Sequence, residues 1–79
     1  MKSKVIVTFK PGVLDPQGRA IQQLLAQHGY SQIKDVRVGK LIEFELDGVD
    51  SAQARTLLAE VSEQVLANPI IETFRIETE

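Results

Sequence analysis

The run from Gly12 to Ala20 constrains the fold most, because it converts a strand pattern into a helix pattern within a few residues. Asp15 can accept hydrogen bonds from the first free amides of a helix, and Pro16 has a backbone angle already suited to the first helical position. Gly18 costs the first turn about 0.5–1 kcal/mol relative to alanine. We therefore expect either that the turn tolerates Gly18 or that another backbone approaches it closely.

Alternation and helical spacing divide the chain into six predicted segments. In order they are a strand at 5–9, a helix at about 16–28, strands at 33–38 and 41–46, a helix from 50 or 51 to about 67, and a strand at 70–76. Only Gly39 and Lys40 separate the two middle strands, which favours a tight hairpin turn. Asn68 and Pro69 end the second helix.

This order is that of the ferredoxin-like βαββαβ fold. We therefore predict an α+β fold for a single domain at 1–79. In it, a four-stranded antiparallel sheet carries both helices on one face.

Alternation also divides the sheet residues between two faces. The helix-covered face is predicted to hold Val5, Val7, Phe9, Val36, Val38, Ile42, Phe44, Leu46, Phe74 and Ile76. The opposite face is predicted to hold Ile6, Thr8, Arg37, Leu41, Glu43, Glu45, Ile71, Thr73 and Arg75. Its mixture of apolar and charged residues is typical of a surface that another protein covers, although antiparallel sheets also leave one face in water. We predict self-association, as a homodimer or homotetramer, through Ile6, Thr8, Leu41, Glu43, Ile71 and Arg75.

Composition argues against several classes of protein. The 79 residues include no cysteine, which excludes disulfides and thiol chemistry and fits a cytoplasmic location. The net charge of −2 offers no broad attraction for nucleic acid. No stretch approaches the roughly 20 apolar residues of a membrane span, and the chain opens directly into a strand pattern, so we expect neither membrane insertion nor export.

Catalytic patterns are missing as well. His28 has no nucleophile near it in sequence, and Glu43 and Glu45 are better suited to ion pairs than to acid–base chemistry. The run from Gly12 to Gly18 lacks the ending of a phosphate-binding loop. An acylphosphatase-like catalyst would need a loop that binds phosphate with an arginine. The turn after the first predicted strand offers only Lys10 and Arg19, which gives this class little support. The aromatic residues lie on the predicted helix-covered face, which disfavours an RNA-recognition domain.

Three motifs, spread over the full chain, resemble one family. They are Gly12-Val13-Leu14-Asp15-Pro16-Gln17-Gly18, Val36-Arg37-Val38-Gly39-Lys40 and Leu66-Ala67-Asn68-Pro69-Ile70-Ile71-Glu72. Their order and spacing resemble those of the PurS family, the small subunits of phosphoribosylformylglycinamidine (FGAM) synthase.

The resemblance implies a role in purine biosynthesis, within a complex that uses ATP and glutamine to convert formylglycinamide ribonucleotide to its amidine. In such complexes a glutaminase subunit releases ammonia, and a large synthetase subunit uses ATP and Mg. The small subunit binds no cofactor itself, bridges the other two and assists ammonia transfer. This chain would then be a required but noncatalytic subunit.

We expect the docking surface for those two subunits at the turns. The predicted contact residues are Asp15, Pro16, Gly18, Arg19, Arg37, Gly39, Lys40, Asn68 and Pro69. Two alternatives stay open: these residues are turn formers and caps only, or the chain is a ferredoxin-like regulatory domain that senses a small molecule.

Overall fold

The computed structural model describes all 79 residues and contains two helices and a three-stranded antiparallel sheet. The elements are β1 at Lys2–Phe9, α1 at Pro16–Gln27, β2 at Lys40–Glu45, α2 at Ser51–Val61 and β3 at Glu72–Thr78. A short π-helical segment at Ser62–Leu66, here called the π-turn, extends α2. The strand order is β2-β1-β3, so the predicted α+β class is confirmed. Neither helix is long and apolar enough to cross a membrane.

The core lies between the sheet and α2. Val5 and Val7 of β1 are fully buried against Leu58 of α2. The partly buried apolar residues around them are Ile42, Phe44, Leu46, Leu66, Ala67, Phe74 and Ile76. Alternation therefore assigned the inward side of all three observed strands correctly.

Asp50 fixes the start of α2 through a capping box. Its carboxylate accepts a hydrogen bond from the Gln53 amide at 2.8 Å, and the Gln53 side chain accepts one from the Asp50 amide at 2.9 Å. The apolar residues of α2 and the π-turn face the sheet only in part. Leu58 is buried, whereas the π-turn rotates the later residues and leaves Val65 76% exposed.

The predicted four-stranded sheet is not formed within the single chain, because residues 33–38 pair with no strand. The chain passes through Gly39 without a turn, and Gly39 lacks the positive φ of a two-residue hairpin. The physical reason lies in the apolar alternation. In such a hairpin Val38 would lie opposite Leu41 and share its face, whereas a straight strand keeps Val38 in phase with Ile42. Residues 34–39, here called the arm, therefore lead directly into β2 without a turn.

Helix α1 begins at Pro16 as predicted, but it does not share the sheet face with α2. Gly18 is its only buried residue, and Leu24 is 56% exposed. The molecule is consequently elongated, at 50 × 25 × 14 Å, with a radius of gyration of 15.8 Å. A compact chain of this length would have a radius of gyration of about 12 Å. The prediction of two helices covering one sheet face is therefore wrong for the isolated chain.

Candidate subunit-contact site

Asp15 joins the start of α1 to the arm. Its carboxylate accepts a hydrogen bond from the Gly18 amide at 2.9 Å and another from the Val38 amide at 2.8 Å. The hydrogen bond from the Val38 amide lowers the pKa of Asp15 most, and the hydrogen bond from the Gly18 amide lowers it as well. Burial raises the pKa and partly opposes them, and the positive charge of Arg37 lowers it further. Asp15 is therefore an ionised clamp rather than a proton donor.

Gly18 allows the close approach of another backbone, as its unfavourable position in the helix suggested. A β-carbon at Gly18 would overlap the carbonyl oxygen of Val36 in the arm. Gly39 is similar, since a β-carbon there would lie 2.5 Å from the carbonyl oxygen of Val7. In both cases the approaching backbone belongs to the same chain and not to a partner.

An open cleft of about 790 Å³ lies beside this clamp. Arg37 forms one wall and donates a hydrogen bond to the carbonyl oxygen of Val13 at 2.8 Å. Arg19 projects from the first turns of α1 and is exposed. The cleft thus carries two guanidinium groups, and Asp35 also lines it.

A second cluster lies where the π-turn leads into the loop before β3. The Lys40 ammonium donates to the carbonyl oxygen of Leu66 at 3.0 Å, and the Lys10 ammonium donates to that of Pro69 at 2.7 Å. Asn68 accepts a hydrogen bond from the Ile70 amide at 3.0 Å, which shapes the turn. Sequence reasoning missed the contribution of Lys10, because a lysine at the end of a strand gives no signal of the carbonyl it will meet.

The arm connects the two clusters. Its Val38 amide binds the Asp15 clamp, and Lys40 directly after it binds the π-turn. The structure thus brings all three predicted contact segments into one continuous ridge. Of the predicted residues, Asp15 and Gly18 are buried, and the exposed ones are Pro16, Arg19, Arg37, Gly39, Lys40, Asn68 and Pro69.

The ridge is built of structural hydrogen bonds rather than reactive groups. The Asp15 carboxylate and the Lys10 and Lys40 ammonium groups bind backbone atoms of the same chain. No group of three or more histidine, aspartate or glutamate side chains gathers to form a metal site. The arrangement presents a fixed shape with a basic rim, which is suited to binding another protein.

The outer sheet face holds most of the predicted self-association residues together. Ile6 lies opposite Leu41 on one side and Arg75 on the other, and Thr8 lies opposite Thr73. Ile71 lies just before β3, where its carbonyl oxygen accepts a hydrogen bond from the Lys10 amide at 2.8 Å. Arg75 forms an ion pair with Glu77 at 3.2 Å.

Known proteins identify the family. The model of the PurS family, described as phosphoribosylformylglycinamidine (FGAM) synthase, matches residues 2–79. The chain belongs to the PurS family. A PurS subunit of phosphoribosylformylglycinamidine synthase from Bacillus subtilis is 42% identical over 78 residues, which cover 99% of this chain and 92% of that protein. The resemblance seen in the three sequence motifs is confirmed.

Solved PurS structures share the fold. PurS of Methanocaldococcus jannaschii, described as one of the subunits of formylglycinamide ribonucleotide amidotransferase in the purine biosynthetic pathway, has a TM-score of 0.88 at 33% identity. That match covers 99% of this chain and 94% of the other. A chain of the PurLQS structure from Thermotoga maritima has a TM-score of 0.86 at 26% identity, covering 96% and 93%. The chain is therefore a PurS subunit of FGAM synthase in purine biosynthesis, and the regulatory-domain alternative is not favoured.

Proposed function

We propose that this chain is the noncatalytic bridging subunit of FGAM synthase. It holds a glutaminase subunit and a large synthetase subunit together, so that ammonia released from glutamine reaches the ATP-driven conversion of formylglycinamide ribonucleotide to its amidine. ATP and Mg bind to the large subunit, and this chain binds no cofactor. It acts in the cytoplasm, and residues 1–79 work as one domain.

The ridge is the observation that carries this proposal. Asp15, Lys10 and Lys40 each use their charge on a backbone atom of the same chain. Such bonds fix the shape of a surface. A rigid surface loses little conformational entropy when it binds, which favours docking.

The basic rim supports contact with acidic surfaces of the two larger subunits. Arg19, Arg37 and Lys40 are exposed, and complementary charge increases both the rate and the specificity of association. We propose the nine predicted contact residues as this docking surface, in which the buried Asp15 and Gly18 act by holding the arm in place.

The outer sheet face supports self-association into a homodimer or homotetramer. The exposed Leu41 and Ile71 and the half-buried Ile6 provide apolar area. Arg75 and Glu43 can form charge pairs with a second copy. If this face is covered, Ile6→Glu lowers the mass measured by light scattering. An unchanged mass would exclude the face.

Assembly of the complex tests the docking surface. Purified synthetase and glutaminase subunits are mixed with the parent chain or with Arg19→Glu, and the complex is quantified by size-exclusion chromatography. We expect Arg19→Glu to weaken assembly at least about tenfold, since reversing a rim charge both removes an attraction and adds a repulsion. Arg55→Glu, on α2, is the matched control and should assemble like the parent. Assembly of Arg19→Glu to the same extent as Arg55→Glu would contradict the proposed surface.

A further inference from the structure

The loop between β2 and α2 contains the dipeptide Asp47-Gly48 in an open conformation. Both residues are exposed, and Gly48 has a φ of +75°, which glycine adopts without strain. A β-carbon at Gly48 would meet no atom within 4 Å. The Gly48 amide donates no hydrogen bond within the chain, and the Asp47 carboxylate accepts none and forms no ion pair. A free carboxyl group is therefore followed directly by a free and unhindered amide.

An aspartate side chain and the next backbone amide can react to close a five-membered ring. The Gly48 nitrogen attacks Cγ of the protonated Asp47 carboxyl, the N–Cγ bond forms, and the amide proton leaves with the Cγ hydroxyl as water. The product is a succinimide. Solvent water then opens this ring at one of its two carbonyl carbons. Attack at Cγ restores aspartate, whereas attack at the main-chain carbonyl carbon gives isoaspartate, in which the main chain runs through the side chain.

Two of the other aspartates are held by the starts of the helices. The Asp15 carboxylate accepts two hydrogen bonds, and the following Pro16 has no amide hydrogen. The Asp50 carboxylate accepts a hydrogen bond from the Gln53 amide at 2.8 Å, and the following Ser51 is already part of α2. Ring closure at either aspartate would require the helix start to open.

The remaining aspartate and the asparagine are followed by hindered nitrogens. Asp35 precedes the β-branched Val36, whose side chain crowds its own amide nitrogen. The carbonyl oxygen of Val36 also packs against Gly18, which holds this part of the arm in place. Asn68 is followed by a proline. Asp47 is thus the residue that combines a free carboxylate with an unhindered amide.

We propose that Asp47 is a site of spontaneous isoaspartate formation in the folded protein. The isomer adds one methylene group to the main chain of the loop and leaves the free carboxylate on the α-carbon. Because neither Asp47 nor Gly48 takes part in a hydrogen bond, the rearrangement breaks none. The loop is exposed, so the new carboxylate is open to an enzyme that transfers a methyl group from S-adenosylmethionine to isoaspartyl carboxylates. This chemistry does not depend on the bridging role.

Ageing the chain at neutral pH in water enriched in heavy oxygen tests the reaction at each aspartate. Every passage through the succinimide leaves one solvent oxygen in the carboxylate, whichever carbonyl the water attacks. Peptide mapping with fragmentation therefore measures the rate at Asp35, Asp47 and Asp50 separately. We expect uptake at Asp47 to be at least about tenfold faster than at Asp35 or Asp50, which corresponds to a barrier lower by about 1.4 kcal/mol. A smaller margin would overturn the proposal.

The same measurement in guanidinium chloride separates the effect of the fold from that of the dipeptide. Unfolding releases the Asp50 cap, so uptake at Asp50 should rise. Uptake at Asp47 in the folded chain should stay within about tenfold of its rate in the unfolded chain, because its carboxylate and amide are already free. A larger drop on folding would show that the fold protects Asp47, and would overturn the proposal.

Asp47→Glu provides a second readout. Glutamate keeps the charge, but its ring would have six members and closes far more slowly. After ageing, an isoaspartyl methyltransferase with labelled S-adenosylmethionine should label Asp47→Glu at least about tenfold less than the parent chain. Asp35→Glu is the matched control and should be labelled like the parent. Stronger labelling of Asp47→Glu would mean that the isoaspartate lies elsewhere, which would contradict the assignment to Asp47.

Discussion

Replacing Gly18 with alanine separates helix propensity from the close approach of the arm. Propensity alone predicts that Gly18→Ala stabilises the protein by about 1 kcal/mol, because glycine is a poor helix former. The structure predicts the opposite sign. The new β-carbon would overlap the carbonyl oxygen of Val36, and the Asp15 carboxylate lies 2.9 Å away, so the arm must shift. Overpacking of this kind costs about 1–3 kcal/mol. The expected net effect is a destabilisation of up to about 2 kcal/mol.

Urea unfolding followed by far-UV circular dichroism measures this difference. All samples are compared at one protein concentration, because association changes the apparent stability. Gln17→Ala is the matched control, since Gln17 is an exposed neighbour in the same turn and should change the free energy of unfolding by only a few tenths of a kcal/mol. A Gly18→Ala protein that is more stable than the parent would refute the close approach of the arm.

Three further substitutions test the core and the clamp. Leu58→Ala should lower the free energy of unfolding by about 3 kcal/mol, because Leu58 is fully buried. Leu57→Ala is the control on the exposed side of α2 and should lower it much less. Urea titration measures both variants. Ser62→Ala should raise the free energy of unfolding by about 1 kcal/mol, because the Ser62 hydroxyl is buried without a hydrogen-bond partner; a loss of stability in urea would contradict this. Because the pKa of Asp15 is lowered in the folded protein, its ionised carboxylate stabilises the fold at pH values above the unfolded pKa of about 3.8, and this stabilisation is lost as the pH falls through the folded pKa. Asp15→Asn should therefore show a smaller drop in urea midpoint between pH 5 and pH 2 than the parent, and an equal drop would argue against the clamp.

Local signals predicted the starts of both helices well. Asp15 and Asp50 are caps, and each accepts a hydrogen bond from the amide three residues further along the chain, Gly18 and Gln53 respectively. Alternation likewise predicted the inward residues of β1, β2 and β3. These features depend on near neighbours, so the sequence is sufficient to find them.

The prediction of a hairpin at Gly39 is wrong because the residue composition there favours a turn, whereas the phase of the apolar residues on either side does not. Val36 and Val38 are in phase with Ile42 and Phe44, with only Lys40 between them in that phase, and a two-residue turn at Gly39 and Lys40 would disrupt this phase. The phase of these apolar residues can be read from the sequence. The outward position of α1 cannot be predicted in this way, because an amphipathic pattern specifies an apolar face without specifying which surface covers it.

The measurement that tests the bridging role most directly is amidine synthesis by the purified synthetase and glutaminase subunits, with and without this chain. Each mixture is assayed with glutamine and, separately, with added ammonia in place of glutamine. The bridging role predicts that the chain restores the glutamine-dependent reaction and leaves the ammonia-driven reaction nearly unchanged. Glutamine-dependent synthesis at the same rate without the chain would contradict it.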